Sequence, residues 1–134
     1  MKLFNLFKKQ EAPDNLETGY ICSVSHWDKH DQDIQKLLKE LLKQDKLNDG
    51  IAWLSCQIVP EPSNKHDKNA LKVLAYGKKW YDIGYIYQSD QAKVKQLIEY
   101  TKGNKYYFRI GFKYNTYNGV SLGLYFYKNK KSGS

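Results

Sequence analysis

The chain has 134 residues, of which 41% are hydrophobic and 15% aromatic, and its formal net charge is +8. This length predicts a single domain with a substantial core, and the composition excludes a disordered chain. The net charge favours a polyanionic partner, and the apolar runs are too short to span a bilayer. Because the start lacks the small-residue cleavage site of a signal peptide, we expect a cytoplasmic protein without integral membrane contact.

We predict a folded domain at 18–128 between two flexible segments, 1–17 and the basic tail 129–134. Runs of β-branched and aromatic residues predict strands, and apolar residues recurring every three or four positions predict helices. The predicted elements are a strand at 19–27, a helix at 31–44, strands at 51–59, 71–77 and 80–87, a helix at 89–101, and strands at 105–114 and 120–128. This order predicts the α+β class: a small OB-like or SH3-like antiparallel β-barrel of about six strands with two helices.

The helix at 31–44 has one apolar face and a polar start that Asp31 or Asp33 is expected to cap. The apolar face consists of Ile34, Leu37, Leu38, Leu41 and Leu42. If this face, or the segment MKLFNLFKK at the start of the chain, were exposed, the protein would be a protein- or membrane-interaction module. The sequence leaves this alternative open.

The last third of the chain carries nearly all of the net charge. Residues 1–99 contain 15 basic and 14 acidic residues, whereas no acidic residue follows Glu99. The basic residues after it are Lys102, Lys105, Arg109, Lys113, Lys128, Lys130 and Lys131. Aromatic residues are interleaved with them: Tyr100, Tyr106, Tyr107, Phe108, Phe112, Tyr114, Tyr117, Tyr125, Phe126 and Tyr127. Lysines in such a pattern neutralise phosphates and exposed tyrosines stack on bases, which favours a nucleic-acid partner.

The strand at 105–114 shows this pattern most clearly. Alternation places one set of side chains on a basic stripe, Lys105, Tyr107, Arg109, Gly111 and Lys113. The other set forms a core face, Tyr106, Phe108, Ile110, Phe112 and Tyr114. We name Tyr107, Arg109 and Lys113 as candidate DNA contacts. The alternative is an ordinary solvated lysine face over a core filled with tyrosines.

Side chains suited to catalysis or metal binding are few. His26, Asp28 and His30 would have metal-ligand spacing in a helix, but their segment is predicted to be a loop. No nucleophile or phosphate-loop signature is present, so we expect a non-enzymatic chain without metal or cofactor, with a metal-dependent hydrolase as the alternative. Cys22 and Cys56 are predicted to be reduced core thiols, although the sequence leaves a disulfide open.

The segment EPSNKHDKNALKV, from Glu61 to Val73, concentrates turn-forming residues in front of a strand. We expect Asn64 and Asp67 to form Asx-type turns and the side chain of Asn69 to bond the backbone at the strand entry. Farther along, I-G-Y-I precedes the second helix. The motif N-x-x-D-x-N-A-L-x-V with I-G-Y-I at this separation resembles the HIRAN domain family.

The resemblance covers about residues 56–100 and implies an OB-like barrel that binds single-stranded DNA or DNA 3′ ends. By position, Asn64, His66 and Asp67 would contact the terminal nucleotide. Asp67 would accept a hydrogen bond from a 3′-hydroxyl, and the His66 ring would stack on a base where the family often has Tyr. Tyr85 of the I-G-Y-I segment is a further expected contact.

The resemblance also implies structural roles and a biological setting. Asn69, Ala70 and Gly84 are expected to shape the fold. A helicase or nuclease in DNA repair is the implied protein partner. Tyr87 and Gln88 stand where the family usually has Pro or a basic residue, which removes an expected phosphate contact. The helix at 31–44 is an enlargement that we expect to narrow or cover the groove.

Overall fold

The computed structural model describes Ala12 and residues 16–130, which form six strands and two helices. The strands are β1 (Gly19–Ser25), β2 (Ile51–Pro60), β3 (Leu71–Tyr76), β4 (Trp80–Ile86), β5 (Tyr106–Asn115) and β6 (Gly119–Lys128). The helices are α1 (Asp31–Lys43) and α2 (Gln91–Thr101), each preceded by a short 3-10 turn. All eight predicted elements are confirmed, with bounds that differ by two residues at most.

The strands close into an antiparallel barrel in the order β1-β4-β3-β2-β5-β6, and β6 returns to β1. The longest ladder joins β5 to β6, running from Tyr106 opposite Lys128 to Asn115 opposite Gly119. Asn115 Oδ1 accepts two backbone N–H groups of the connecting turn, at 3.0 and 2.7 Å, which fixes this hairpin. The closed barrel confirms the predicted fold class.

Alternation along β5 divides its side chains as predicted. Ile110 and Phe112 point inward and are fully buried, whereas Tyr107, Arg109 and Lys113 are exposed. The barrel interior is filled by aliphatic and aromatic side chains from all six strands and from α1, including Val24, Leu54, Val73, Ile83, Phe112 and Leu124. The basic stripe is therefore an outer surface of the barrel.

Helix α1 packs its apolar face into the main core and lies chiefly against β4. The buried apolar residues of the helix are Ile34, Leu37, Leu38 and Leu41, whereas Leu42 is 51% exposed. Because this face serves the core, α1 offers no large apolar surface to a partner. The N-terminal residues 1–9 of the alternative interaction module lie outside the described residues.

The predicted cap of α1 by Asp31 or Asp33 is wrong. The residue before the helix, His30, already has helical backbone angles (φ −93°, ψ −12°), because a 3-10 turn runs directly into α1. A capping side chain needs an extended backbone at that position. Asp33 instead accepts the backbone N–H of Asp82 at 3.1 Å, which ties α1 to β4.

Helix α2 buries Val94, Leu97 and Tyr100. Leu97 and Tyr100 form a small second core with Phe126, against which Ala12 and Leu16 pack. Apart from Ala12 and residues 16–17, the N-terminal segment predicted to be flexible lies outside the described residues, as does the tail after residue 130.

Both cysteines are unpaired, Cys22 buried and Cys56 half-buried. Burial raises the pKa of the Cys22 thiol to about 11, and burial also raises that of Cys56. Neither described helix has the length and apolar character needed to cross a membrane.

Candidate nucleic-acid interface

The loop between β2 and β3 folds around the side chains of Asn64 and Asp67. Asn64 Oδ1 accepts the backbone N–H groups of His66 at 2.9 Å and Asp67 at 3.0 Å. Asp67 Oδ1 accepts the N–H of Asn69 at 2.9 Å, and the Asp67 carbonyl accepts the N–H of Ala70 at 3.1 Å. The predicted Asx-type turns are therefore confirmed, and they fix the backbone between the two strands.

The entry to β3 is held by the backbone rather than by the Asn69 side chain. The carbonyl of buried Ala70 accepts the N–H of Glu61 at 2.9 Å, which closes the loop. Asn69 Oδ1 instead accepts a hydrogen bond from Lys95 Nζ on α2 at 3.4 Å. The predicted bond from this side chain to the backbone is wrong, because the short strand entry leaves the side chain exposed toward α2.

Asp67 connects the loop to the start of α2. Its second carboxylate oxygen, Oδ2, accepts a hydrogen bond from Gln91 Nε2 at 2.6 Å. The Gln91 amide and the N–H of Asn69 hold the pKa of the Asp67 carboxyl below its usual value. The carboxylate is therefore ionised at neutral pH and is held in a fixed position by these two hydrogen bonds.

Tyr85, near the end of β4, organises the other side of the site. Its hydroxyl donates to Glu61 Oε1 at 2.6 Å, and the same oxygen accepts from Asn64 Nδ2 at 2.9 Å. These two bonds lower the pKa of the Glu61 carboxyl. Lys29 Nζ donates to the Tyr85 hydroxyl at 3.1 Å and lies 4.7 Å from the centre of its ring. Tyr85 thus joins the loop to a lysine from the segment after β1.

Gly84 allows β4 to approach β1 at this point. Val73 pairs with Gly84 and Leu74 with Asp82, so Ile83 is an extra residue that bulges β4. Gly84 has φ +149°, and a Cβ there would collide with the Ser25 carbonyl. The predicted structural role of this glycine is supported by both features.

These groups line a cleft with a volume of ≈ 600 Å³. The predicted residues on its wall are Asn64, His66, Asp67, Ala70 and Tyr85. The other lining residues are Ser25, Trp27, Lys29, Ile86, Tyr87, Gln88 and Gln91. No residue of α1 lines the cleft; the apolar face of the helix packs into the core instead.

Sequence reasoning did not assign Trp27, Tyr87 or Lys29 to the cleft. Trp27 is 51% exposed and Tyr87 is 47% exposed, so both present ring surface to solvent. The Trp27 ring stacks on His30 on one side, with centroids 5.7 Å apart and planes at 27°. Trp27 and Lys29 alternate with the candidate metal ligands His26, Asp28 and His30, and their aromatic-basic pairing was the signal available in the sequence.

The structure does not bring Tyr107, Arg109 and Lys113 to this cleft. They lie on β5, which is separated from β4 by β3 and β2 in one direction around the barrel and by β1 and β6 in the other. The candidate residues therefore form two groups on different sides of the molecule.

The histidine segment has no metal-ligand geometry. His26 is exposed while His30 is 1% exposed, and no group of three or more His, Cys, Asp or Glu side chains converges among the described residues. The alternative of a metal-dependent hydrolase lacks the convergence that it requires. His30 Nδ1 instead accepts the backbone N–H of Trp27 at 3.2 Å, and its Nε2 lies 3.6 Å from Asp82 Oδ1.

Comparison of the chain with protein-family models, with curated proteins and with solved structures finds no match. The resemblance to the HIRAN family stays a prediction from the motifs.

Proposed function

We propose that this chain is a non-enzymatic DNA-binding module that holds single-stranded DNA, or a DNA 3′ end, in the cleft beside the turn at 64–67. One observation carries the proposal: the cleft combines an ionised acceptor, exposed aromatic rings and a lysine. A terminal nucleotide has a complement to each of these groups, namely a sugar hydroxyl, a flat base and a phosphate. The basic and aromatic residues of β5 would contact the same class of ligand elsewhere on the barrel.

Asp67 is suited to accept a 3′-hydroxyl. A carboxylate has about four acceptor sites, and the bonds from Asn69 and Gln91 use one on each oxygen. The remaining lone pairs can accept a hydroxyl proton without breaking the turn. A 3′-phosphate would instead bring a second negative charge to this carboxylate and would be repelled.

Trp27 and His66 are suited to stack on bases. The inner face of Trp27 is fixed against His30, which leaves an outer surface for a base. His66 also lines the cleft and is exposed, and its backbone is fixed by Asn64. Tyr85 is only 7% exposed, so its contribution is to position Glu61 and Lys29 rather than to offer a stacking surface.

Lys29 supplies the positive charge of the cleft. The Tyr85 hydroxyl and ring hold its ammonium group at 3.1 Å and 4.7 Å, and neither contact neutralises its charge. A phosphate of the bound strand can therefore pair with Lys29.

The test is fluorescence anisotropy with a short single strand that ends in either a 3′-hydroxyl or a 3′-phosphate. We expect the 3′-phosphate to weaken binding by about tenfold or more, since it replaces a favourable hydrogen bond with like-charge repulsion. Asp67→Asn should remove most of this discrimination. Asn keeps an oxygen for the N–H of Asn69, and Gln91 can turn its amide so that its oxygen accepts from the new NH₂ group.

Asp45→Asn is the matched control, because it makes the same charge change at an exposed position outside the cleft. The backbone φ of 53° at Asp45 is one that Asn tolerates well. Equal affinity of the wild type for both ends would contradict 3′-end capture and leave general DNA binding in place. Absence of binding to either strand at low salt would contradict the whole proposal.

A further inference from the structure

Four neighbouring strands of the barrel, β2, β5, β6 and β1, contain no acidic residue. They pair in this order and form a continuous wall. Glu17, Asp49 and Glu61 lie just outside these strands, and Glu61 is engaged by Tyr85 and Asn64 in the cleft. The outer surface of this wall, which we call the sheet face, therefore has no carboxylate of its own.

The sheet face carries five aromatic rings in mutual contact, contributed by all four strands: Tyr20, Trp53, Tyr107, Tyr125 and Tyr127. Tyr125 is central, with its ring centroid 5.5 Å from that of Tyr20 and 4.6 Å from that of Trp53. Tyr127 lies 6.2 Å from Tyr125 and 6.0 Å from Tyr107. Tyr20 is 58% exposed, Trp53 42% and Tyr107 37%, so the rings cover the barrel without being buried by any described element.

Two glycines make room for these rings. Gly111 on β5 pairs with Gly123 on β6 in the middle of the sheet face. A Cβ at Gly111 would lie 2.7 Å from the Tyr125 ring and 3.3 Å from the Trp53 ring. A Cβ at Gly123 would lie 3.1 Å from Tyr125 and 3.4 Å from Tyr20. The rings therefore lie directly over the backbone of the two glycines and form an aromatic surface close to the sheet.

Cations border the rings. Arg109 lies between Ser55 on β2 and Tyr125 on β6, with its guanidinium 5.7 Å from the centre of the Tyr107 ring. Lys113 lies on the same face of the same strand, two residues beyond Gly111. Neither Arg109 nor Lys113 pairs with a carboxylate in the described part of the chain. Both charges are available to an anionic ligand.

We infer that the sheet face is a second DNA surface, which binds the interior of a single strand and requires no free end. Unpaired cations without a nearby carboxylate select a polyanion. Exposed rings favour a nucleic acid with unstacked bases, that is a single strand, because the bases of a duplex are stacked on each other. The inference rests on the proposed DNA binding but assigns it to a different surface.

The sheet face can act without the cleft. The strand at its centre, β5, is on the opposite side of the barrel order from β4, which carries Tyr85. None of the five rings and neither cation lines the cleft. A strand without ends, which offers no 3′-hydroxyl to Asp67, should therefore still bind.

The experiment measures binding of a fluorescent circular single-stranded oligonucleotide to the wild type and to three charge or ring variants. Arg109→Glu and Trp53→Ala should each weaken binding by about tenfold, through a lost phosphate contact or a lost stacking surface. Lys36→Glu is the matched control for Arg109→Glu, because it makes the same reversal at an exposed position of α1. It should change affinity by less than about threefold.

The outcomes separate this inference from the proposed function. Binding of linear 3′-hydroxyl strands without binding of circles would overturn the sheet face and leave end capture intact. Binding of circles that Arg109→Glu and Trp53→Ala do not weaken, or that Lys36→Glu weakens equally, would also overturn it. Circle binding that depends on Arg109, in a protein that does not discriminate 3′ ends, would support the sheet face and contradict end capture. Circular dichroism spectra show whether each variant is folded. If Trp53→Ala does not fold, Arg109→Glu by itself tests the inference.

Discussion

His30 is the most deeply buried polar residue of the described chain, with 1% of its surface exposed. It packs against the rings of Trp27 and Tyr85, at centroid distances of 5.7 and 5.6 Å. Its Nδ1 accepts a backbone N–H, so the proton of the neutral ring is on Nε2, which faces Asp82 at 3.6 Å. Burial lowers the pKa of this imidazole, and the attraction of Asp82 opposes that effect only in part. The neutral imidazole thus supports the Trp27 ring that stacks on it.

We predict that His30 makes the fold less stable at acidic pH. Because its pKa is lower in the folded protein than in the unfolded chain, the unfolded chain binds the proton first as the pH falls. The free energy of unfolding should therefore decrease as the pH falls below about 6.5, the usual value for histidine. In His30→Gln, whose side chain stays neutral, the free energy of unfolding should depend less on pH below about 6.5. Urea unfolding measured at a series of pH values tests this.

His26→Gln serves as the control, because His26 is an exposed histidine close in sequence. It should retain the acid sensitivity of the wild type. A His30→Gln profile as steep as that of the wild type, or wild-type stability that rises on acidification, would contradict the prediction.

At the same scale, the turn residues were predictable, whereas the contact of Lys29 with Tyr85 in the cleft was not. Asn64 and Asp67 bond backbone groups two or three residues away, so their chemistry is contained in a short stretch of sequence. Lys29 and Tyr85 are 56 positions apart and meet only because β1 pairs with β4. Their contact depends on the barrel order, which local patterns do not encode.

Between elements, Glu40 on α1 joins the helix to the hairpin of β3 and β4. It is 8% exposed, and Oε2 accepts the backbone N–H of Lys78 at 2.9 Å. Oε1 accepts the Tyr81 hydroxyl at 3.0 Å. Gly77 lies so close to this carboxylate that a Cβ there would collide with it. A helix face that reads as apolar from its leucines therefore has a carboxylate at its end, which fixes the position of the hairpin.

We predict that Glu40→Ala lowers the free energy of unfolding by about 2–4 kcal/mol, because two donors lose their acceptor in a mostly dry site. Lys39→Ala, at the exposed neighbouring position, should stay within about 0.5 kcal/mol of the wild type. Chemical denaturation of both variants measures the difference. A loss of less than about 1 kcal/mol for Glu40→Ala would mean that water replaces the carboxylate at the hairpin.

Element bounds were predictable because periodicity and turn signals act along the chain. The two long strands β5 and β6 illustrate this, since each bound was predicted to within one residue and the inward face of β5 was assigned correctly. The capping of α1, in contrast, was not predicted correctly. A 3-10 turn before the helix removes the extended residue that a cap requires, and no residue pattern in HWDKHD predicts that turn.

Across the whole molecule, the proposed cleft and the rings and cations of the sheet face occupy different parts of one closed barrel, and β1 borders both. Asp67 and Arg109 were both predicted from the sequence to contact DNA. The strand order places two strands, in either direction, between β4, which carries Tyr85 of the cleft, and β5, which carries Arg109. Two surfaces on one rigid body bind a flexible ligand together only when the ligand is long enough to reach both.

The effect of each surface should therefore depend on the length of the DNA. A linear strand of about four nucleotides with a 3′-hydroxyl should occupy the cleft alone, whereas one of about sixteen can also reach the sheet face. Arg109→Glu should leave affinity for the short strand unchanged within about threefold and weaken the long strand by about tenfold, while Asp67→Asn should weaken both. In the double variant, the free-energy losses for the long strand should add, because the two sites share no contact. Anisotropy titrations with both lengths measure these losses, with Lys36→Glu as the charge control. An equal effect of Arg109→Glu on both lengths would mean that Arg109 acts through long-range charge, and the two-surface arrangement would be wrong.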